Sequence, residues 1–66
     1  MRELFVQEDL AFRLEAYVKE NGTKYVLVSD KTGIDPSLLS RLKNRRMNLS
    51  DNYFRTLDEF LKGEGY

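Results

Sequence analysis

The sequence predicts a small all-α domain of four helices, or five. Three observations predict it. Leucines and aromatics recur at the i, i+4, i+7 spacing of a helix face. Start and stop signals divide the chain regularly, at Asn21-Gly22, Asp35-Pro36 and Ser50. The one strand-like run, Tyr25 to Val28, has no partner run elsewhere to pair with. Sixty-six residues make one domain at most, spanning residues 1–66.

The first helix is expected over residues 7–21, with Leu10, Leu14, Tyr17 and Val18 on its inner face. Asn21-Gly22 stops it, because both residue types accept the left-handed conformation of a C-terminal cap. Residues 1–6 form either an arm or an extension of this helix, since Val6 continues the apolar stripe. Thr23 is a suitable N-cap for a short helix over 24–32, with Gly33 closing it. Ile34 then stands where it can meet Val28. Asp35-Pro36 supplies an N-cap and a first-turn proline for a third helix, 36–44. Its back carries Leu39 and Leu42, to be seated on Val28 and the first and last helices. Its front carries Ser37, Ser40, Arg41 and Asn44. Residues 45–49 read as a basic loop. Ser50 caps a last helix, 51–62, with an apolar arc of Tyr53, Phe54, Leu57, Phe60 and Leu61. Gly63 ends it and residues 63–66 read as a tail.

Composition excludes several function classes. The chain has no cysteine and no histidine, so disulfides, thiol catalysis, the usual zinc ligands and the commonest general base are absent. A domain of this size has little room for a deep pocket. No enzyme activity, cofactor, metal or small-molecule ligand is expected. No apolar run approaches a membrane span, and no leader pattern opens the chain, so a cytoplasmic protein is expected. The adjacent acids Glu8-Asp9 and Asp58-Glu59 read as solvated.

Net charge is zero, but it is unevenly spread. Residues 1–23 and 47–66 each carry −2, and residues 24–46 carry +4. Arg41, Lys43, Arg45 and Arg46 fall within six positions. Such a cluster suits a phosphate backbone. It also suits the negative end of a helix dipole.

Two short helices joined by a glycine turn, the second apolar behind and polar in front, follow a helix-turn-helix plan. The stretch Val28-Ser29-Asp30-Lys31-Thr32-Gly33-Ile34-Asp35-Pro36-Ser37-Leu38-Leu39-Ser40-Arg41-Leu42 resembles the Cro/phage-repressor (Xre) family. That family's pattern there is Leu-Ala-x-x-Thr-Gly-Ile/Val-Ser-x-x-x-Ile/Leu-Ser-Arg-Ile/Leu. With Leu10, Leu14, Gly22, Phe54, Leu57 and Leu61 the resemblance covers about residues 10–61. Four features depart from it. Ser29 replaces a small alanine, Tyr25 a frequent glutamine, and Arg45 the glycine common after the second motif helix; a fifth helix is missing. The resemblance implies a lambda-repressor-like helix-turn-helix domain. It implies sequence-specific binding of double-stranded DNA and transcriptional repression at a palindromic operator, as in phage or mobile-element regulators.

On this plan Ser37, Leu38, Ser40 and Arg41 are the candidate base contacts. Arg41 offers paired donors to guanine, and Leu38 either meets a thymine methyl or is partly buried. Lys24, Tyr25, Lys43, Asn44, Arg45 and Arg46 are the candidate phosphate contacts, with a core role as the alternative for Tyr25. If the first helix is regular, Phe5, Phe12 and Ala16 share a face away from Leu10 and Leu14. With Tyr53 and Phe60 they are candidates for a homodimer interface, unless the N-terminal segment folds over Phe12. The rival reading is a protein-interaction module on the same fold, of anti-repressor or antitoxin kind, favoured by zero net charge and surplus aromatics. An RNA binder ranks lower, because only Tyr25 is placed to stack near the basic patch.

Overall fold

A computed structural model describes residues 4–66. Among these residues there are four helices and no strand: α1 (Glu8–Asn21), α2 (Tyr25–Thr32), α3 (Pro36–Lys43) and α4 (Asp51–Gly63). Their bounds match the expected ones to within a residue or two. The Tyr25–Val28 run is helical, because only Val28 of the four is fully buried and nothing offers it a ladder.

Each helix end has an identifiable cause. Gly22 takes φ 61° and Thr23 N donates to Val18 O at 3.1 Å, closing α1. α2 starts at Tyr25, one residue later than expected, so its N-cap position falls to Lys24 and not to Thr23. Lys24 holds that position in an extended conformation, with no side-chain bond to the helix. Gly33, at φ 76°, closes α2 as expected. Asp35 caps α3 ahead of Pro36, and Ser50 Oγ accepts from Tyr53 N to cap α4.

One core serves all four helices. Leu10, Leu14, Val28, Ile34, Leu39, Leu42, Leu57 and Leu61 are its fully buried large side chains. Ala11, Tyr17 and Leu49 complete it. Each leucine buried this way contributes about 1.5–3 kcal/mol. α3 packs on α1 and α2, while α4 packs on α1 and α2 from its own side. Leu39 and Leu42 share that core with Leu57 and Leu61 of α4, while the more extensive packing of α3 is on the first two helices.

The arc expected on α4 is narrower than its apolar residues suggest. Leu57 and Leu61 are buried, Phe60 is half-buried, and Tyr53 and Phe54 stand exposed. The helix also runs through Gly63. Gly65, at φ 86°, ends it with Tyr66 N donating to Leu61 O at 2.8 Å. The expected tail is consequently docked. The Tyr66 ring meets Tyr17 edge-on with centroids 5.5 Å apart, and Phe60 meets Tyr17 similarly at 5.4 Å.

The N-terminal side is also held. Leu4–Gln7 is neither helix nor strand. Asn48 accepts from Val6 N at 2.9 Å and donates to Leu4 O at 2.8 Å. Gln7 bridges Leu49 in the same two-way manner, at 2.9 and 2.7 Å. The helix extension considered for residues 1–6 does not form over residues 4–6. The part of it on residues 1–3 lies outside the described residues.

Arg13 ties α1 to α4. It donates to Asp58 Oδ1 at 2.7 Å and to Tyr66 O at 2.8 Å. Lys62 reaches the other Asp58 oxygen at 3.1 Å. Asp58 is therefore an interhelical anchor and not the solvated acid expected. The Arg13 and Lys62 hydrogen bonds lower its pKa below the ordinary 3.8. A carboxylate with a depressed folded-state pKa stabilises fully above its unfolded value and loses that effect as pH falls through the folded one. The difference in thermal unfolding between wild type and Asp58→Asn should therefore depend on pH, comparing neutral pH with pH well below 3.8. Wild type is the more stable by several degrees at neutral pH, and the gap closes in acid. A gap independent of pH would rule out this role for Asp58.

Candidate nucleic-acid interface

α3 is an eight-residue helix whose back is fixed and whose front is open. Leu39 and Leu42 have no exposed surface, whereas Ser37 and Arg41 are exposed and Ser40 is half-exposed. The candidate base-contact residues therefore lie as expected, save Leu38. It is half-buried and packs against the core, the alternative reading for that residue.

The start of α3 is tightly specified. Asp35 Oδ1 accepts from both Ser37 N at 2.8 Å and Ser37 Oγ at 2.7 Å. These bonds hold the Asp35 carboxyl below its ordinary pKa, first through the Ser37 hydroxyl and then through the backbone. The Ser37 proton is committed to the cap, so its oxygen faces outward as an acceptor.

The end of α3 carries the basic cluster. Arg46 N donates to Arg41 O at 2.8 Å and Arg45 N to Leu42 O at 2.9 Å. These two bonds form the motif that usually ends on a left-handed glycine. Here Arg45 adopts that conformation, at φ 58°. The departure from glycine thus leaves the shape of the helix end unchanged. For a side-chain-bearing residue this conformation costs about 1–2 kcal/mol. The Arg45 side chain offsets part of it. It donates to Lys43 O at 2.6 Å, and its Nε lies 3.1 Å from Glu8 Oε1.

The candidate phosphate contacts fall into two groups. Lys24, Asn44 and Arg46 are exposed. Lys43, Arg45 and Tyr25 are half-buried. Lys43 Nζ lies 3.7 Å from Glu15, and Arg45 reaches Glu8 and Glu15. Glu8 is thereby paired, against the expectation of a solvated acid. Burial, helped by the Glu15 charge, raises the Tyr25 pKa, so its ring belongs to the flank of the core.

The candidate interface residues are less of a unit. Phe5 lies on the irregular segment before α1, not on the helix, and packs half-buried against the core. Phe60 is half-buried beside Tyr17. Phe12 is 63% exposed, so described residues of the N-terminal segment do not cover it. Phe12, Ala16 and the charged residues Glu15, Lys19 and Glu20 line an open groove along α1. Sequence reasoning missed Val26 and Leu27, which are exposed apolar residues on α2. Their signal was available: in an eight-residue helix built on Val28, neighbours one and two positions away turn outward.

Compared with protein-family models, curated proteins and solved structures, the chain finds no match.

The backbone of Arg45 gives a direct test. Arg45→Ala keeps the left-handed residue's cost and loses the side-chain bonds, whereas Arg45→Gly loses the bonds and the cost together. Urea unfolding should place the glycine variant about 1 kcal/mol above the alanine variant. Equal stabilities would mean that residue 45 is not held left-handed.

Proposed function

We propose that this protein is a sequence-specific, double-stranded-DNA-binding regulator of transcription. In this reading α2, the three-residue turn and α3 form a helix-turn-helix, and α3 enters the major groove. The supporting observation is the division of α3. Leu39 and Leu42 wedge one side into the core, and Ser37 and Arg41 leave the other side open for contact. Base discrimination needs side chains held in one register, and a helix seated on two others meets that need. Arg41, exposed and without an ion pair among the described residues, reads guanine through paired hydrogen bonds. Arg46 and Lys24 hold the backbone. The expected biological role is that of a Cro-like repressor in the bacterial or phage-infected cytoplasm, a small phage or mobile-element regulator that occupies an operator and excludes polymerase. Among the described residues no helix is long and apolar enough to cross a membrane.

A homodimer completes this reading, because one module touches few bases. Two copies related by a twofold axis read half-sites about 34 Å apart. Exposed Phe12 and Tyr53 are the members of the candidate interface available for such a contact. The competing reading is a protein-docking module, favoured by exposed Phe12, Val26 and Leu27 on a chain of zero net charge.

Selection from random duplexes tests the reading. The wild type should enrich a palindromic site. Arg41→Ala should lose about 1–3 kcal/mol of discrimination at one base pair of each half-site. Arg46→Ala should weaken all duplexes evenly. No enrichment, together with salt-insensitive association, would favour the docking module. Sedimentation at micromolar concentration should give a mass twice that of one chain, and a strict monomer would remove the dimer.

A further inference from the structure

The basic end of α3 is not uniformly available. Of its four cations, Arg41 and Arg46 are exposed and make no ion pair among the described residues. Lys43 and Arg45 face α1. Arg45 Nε contacts both oxygens of Glu8, at 3.1 and 3.2 Å, and Nη1 lies 3.8 Å from Glu15. Lys43 Nζ takes the other Glu15 oxygen at 3.7 Å. Glu8 and Glu15 are seven residues apart, so they share one face of α1 two turns apart.

We infer that this acidic face of α1 withholds Lys43 and Arg45 from a nucleic-acid backbone, so that Arg46 is the cation of the cluster that meets phosphate, while Arg41 is left to the bases. The inference rests on the duplex-binding reading above and specifies its contact surface. Its physical basis is charge and direction. Arg45 is committed to its side by its left-handed backbone and by its bond to Lys43 O at 2.6 Å. A phosphate approaching Lys43 or Arg45 would sit beside a carboxylate. The repulsion there cancels much of the attraction. Two carboxylates thus neutralise half of the local positive charge, and four basic residues in sequence act as two.

Equilibrium binding of the full chain to a short mixed-sequence duplex across a range of salt tests this. Log affinity falls against log salt by about 0.9 per phosphate neutralised. With Lys24 and Arg46 engaged, the wild-type slope should be about −2. Glu8→Gln with Glu15→Gln should steepen it to about −3.5, as Lys43 and Arg45 join. Both glutamates are exposed enough for the variant to fold, at 69% and 41%. Should the double variant lose its helical circular dichroism, the two single variants decide, each steepening the slope. Glu59→Gln, an exposed acid on α4, removes the same charge as either single variant and should leave the slope unchanged. An unchanged slope in the double variant, or an equal steepening in Glu59→Gln, overturns the inference while leaving duplex binding intact. A wild type that binds no duplex at low salt overturns the duplex-binding reading, and this inference with it.

Discussion

The structure depends on a single shared apolar contact. Leu39 and Leu42 of α3 enter the same core as Val28 of α2, Leu10 and Leu14 of α1, and Leu57 and Leu61 of α4. No disulfide supplements it, and the chain is near the lower limit for an unaided core. Every helix therefore needs its buried side, and none can rotate without exposing a core leucine or, in α2, Val28. That requirement also decides which residues face outward. Ser37 and Arg41 are exposed because Leu39 and Leu42 cannot be. Packing and presentation are two sides of the same short helix.

Around this core the polar contacts act as closures. Arg13 joins α1 to α4 through Asp58 and Tyr66, while Arg45 joins the end of α3 to α1 through Glu8. Tyr17 sits where one closure meets the core. Its ring lies against Phe60 and Tyr66, its hydroxyl donates to Glu64 at 3.2 Å, and burial raises its pKa. Individually, exposed ion pairs contribute little. Their importance here is directional, since each sets where a helix end or a long cation points.

Much of the architecture was legible in the sequence because it rests on local signals. Asp35-Pro36, Ser50, Gly22 and Gly33 act on their own neighbours and mark the same ends in the structure. The buried leucines follow helical spacing. The misreadings share a different origin. Thr23 resembles an N-cap, but α2 starts at Tyr25 and Lys24 takes the cap position. Asp58 resembles a solvated acid, but Arg13 approaches from 45 residues away. Phe5 resembles a helix-face residue, but its segment is bonded to Asn48 and Leu49 and is not helical. The candidate site divides likewise. The exposed front of α3 follows from periodicity, whereas the pairing of Lys43 and Arg45 depends on where α1 lies, which periodicity does not encode.

The amide bridges of Gln7 and Asn48 couple parts of the chain more than 40 residues apart. Val6 and Leu49 have no helical ladder for their N–H groups, and each donates to a side-chain amide oxygen across the gap. Lifting residues 4–7 strips Leu49 of its acceptor at the same moment as Val6. The segment before α1 and the approach to α4 thus form one cooperative opening unit, whose two amides exchange with solvent in concert although three helices lie between them in the chain.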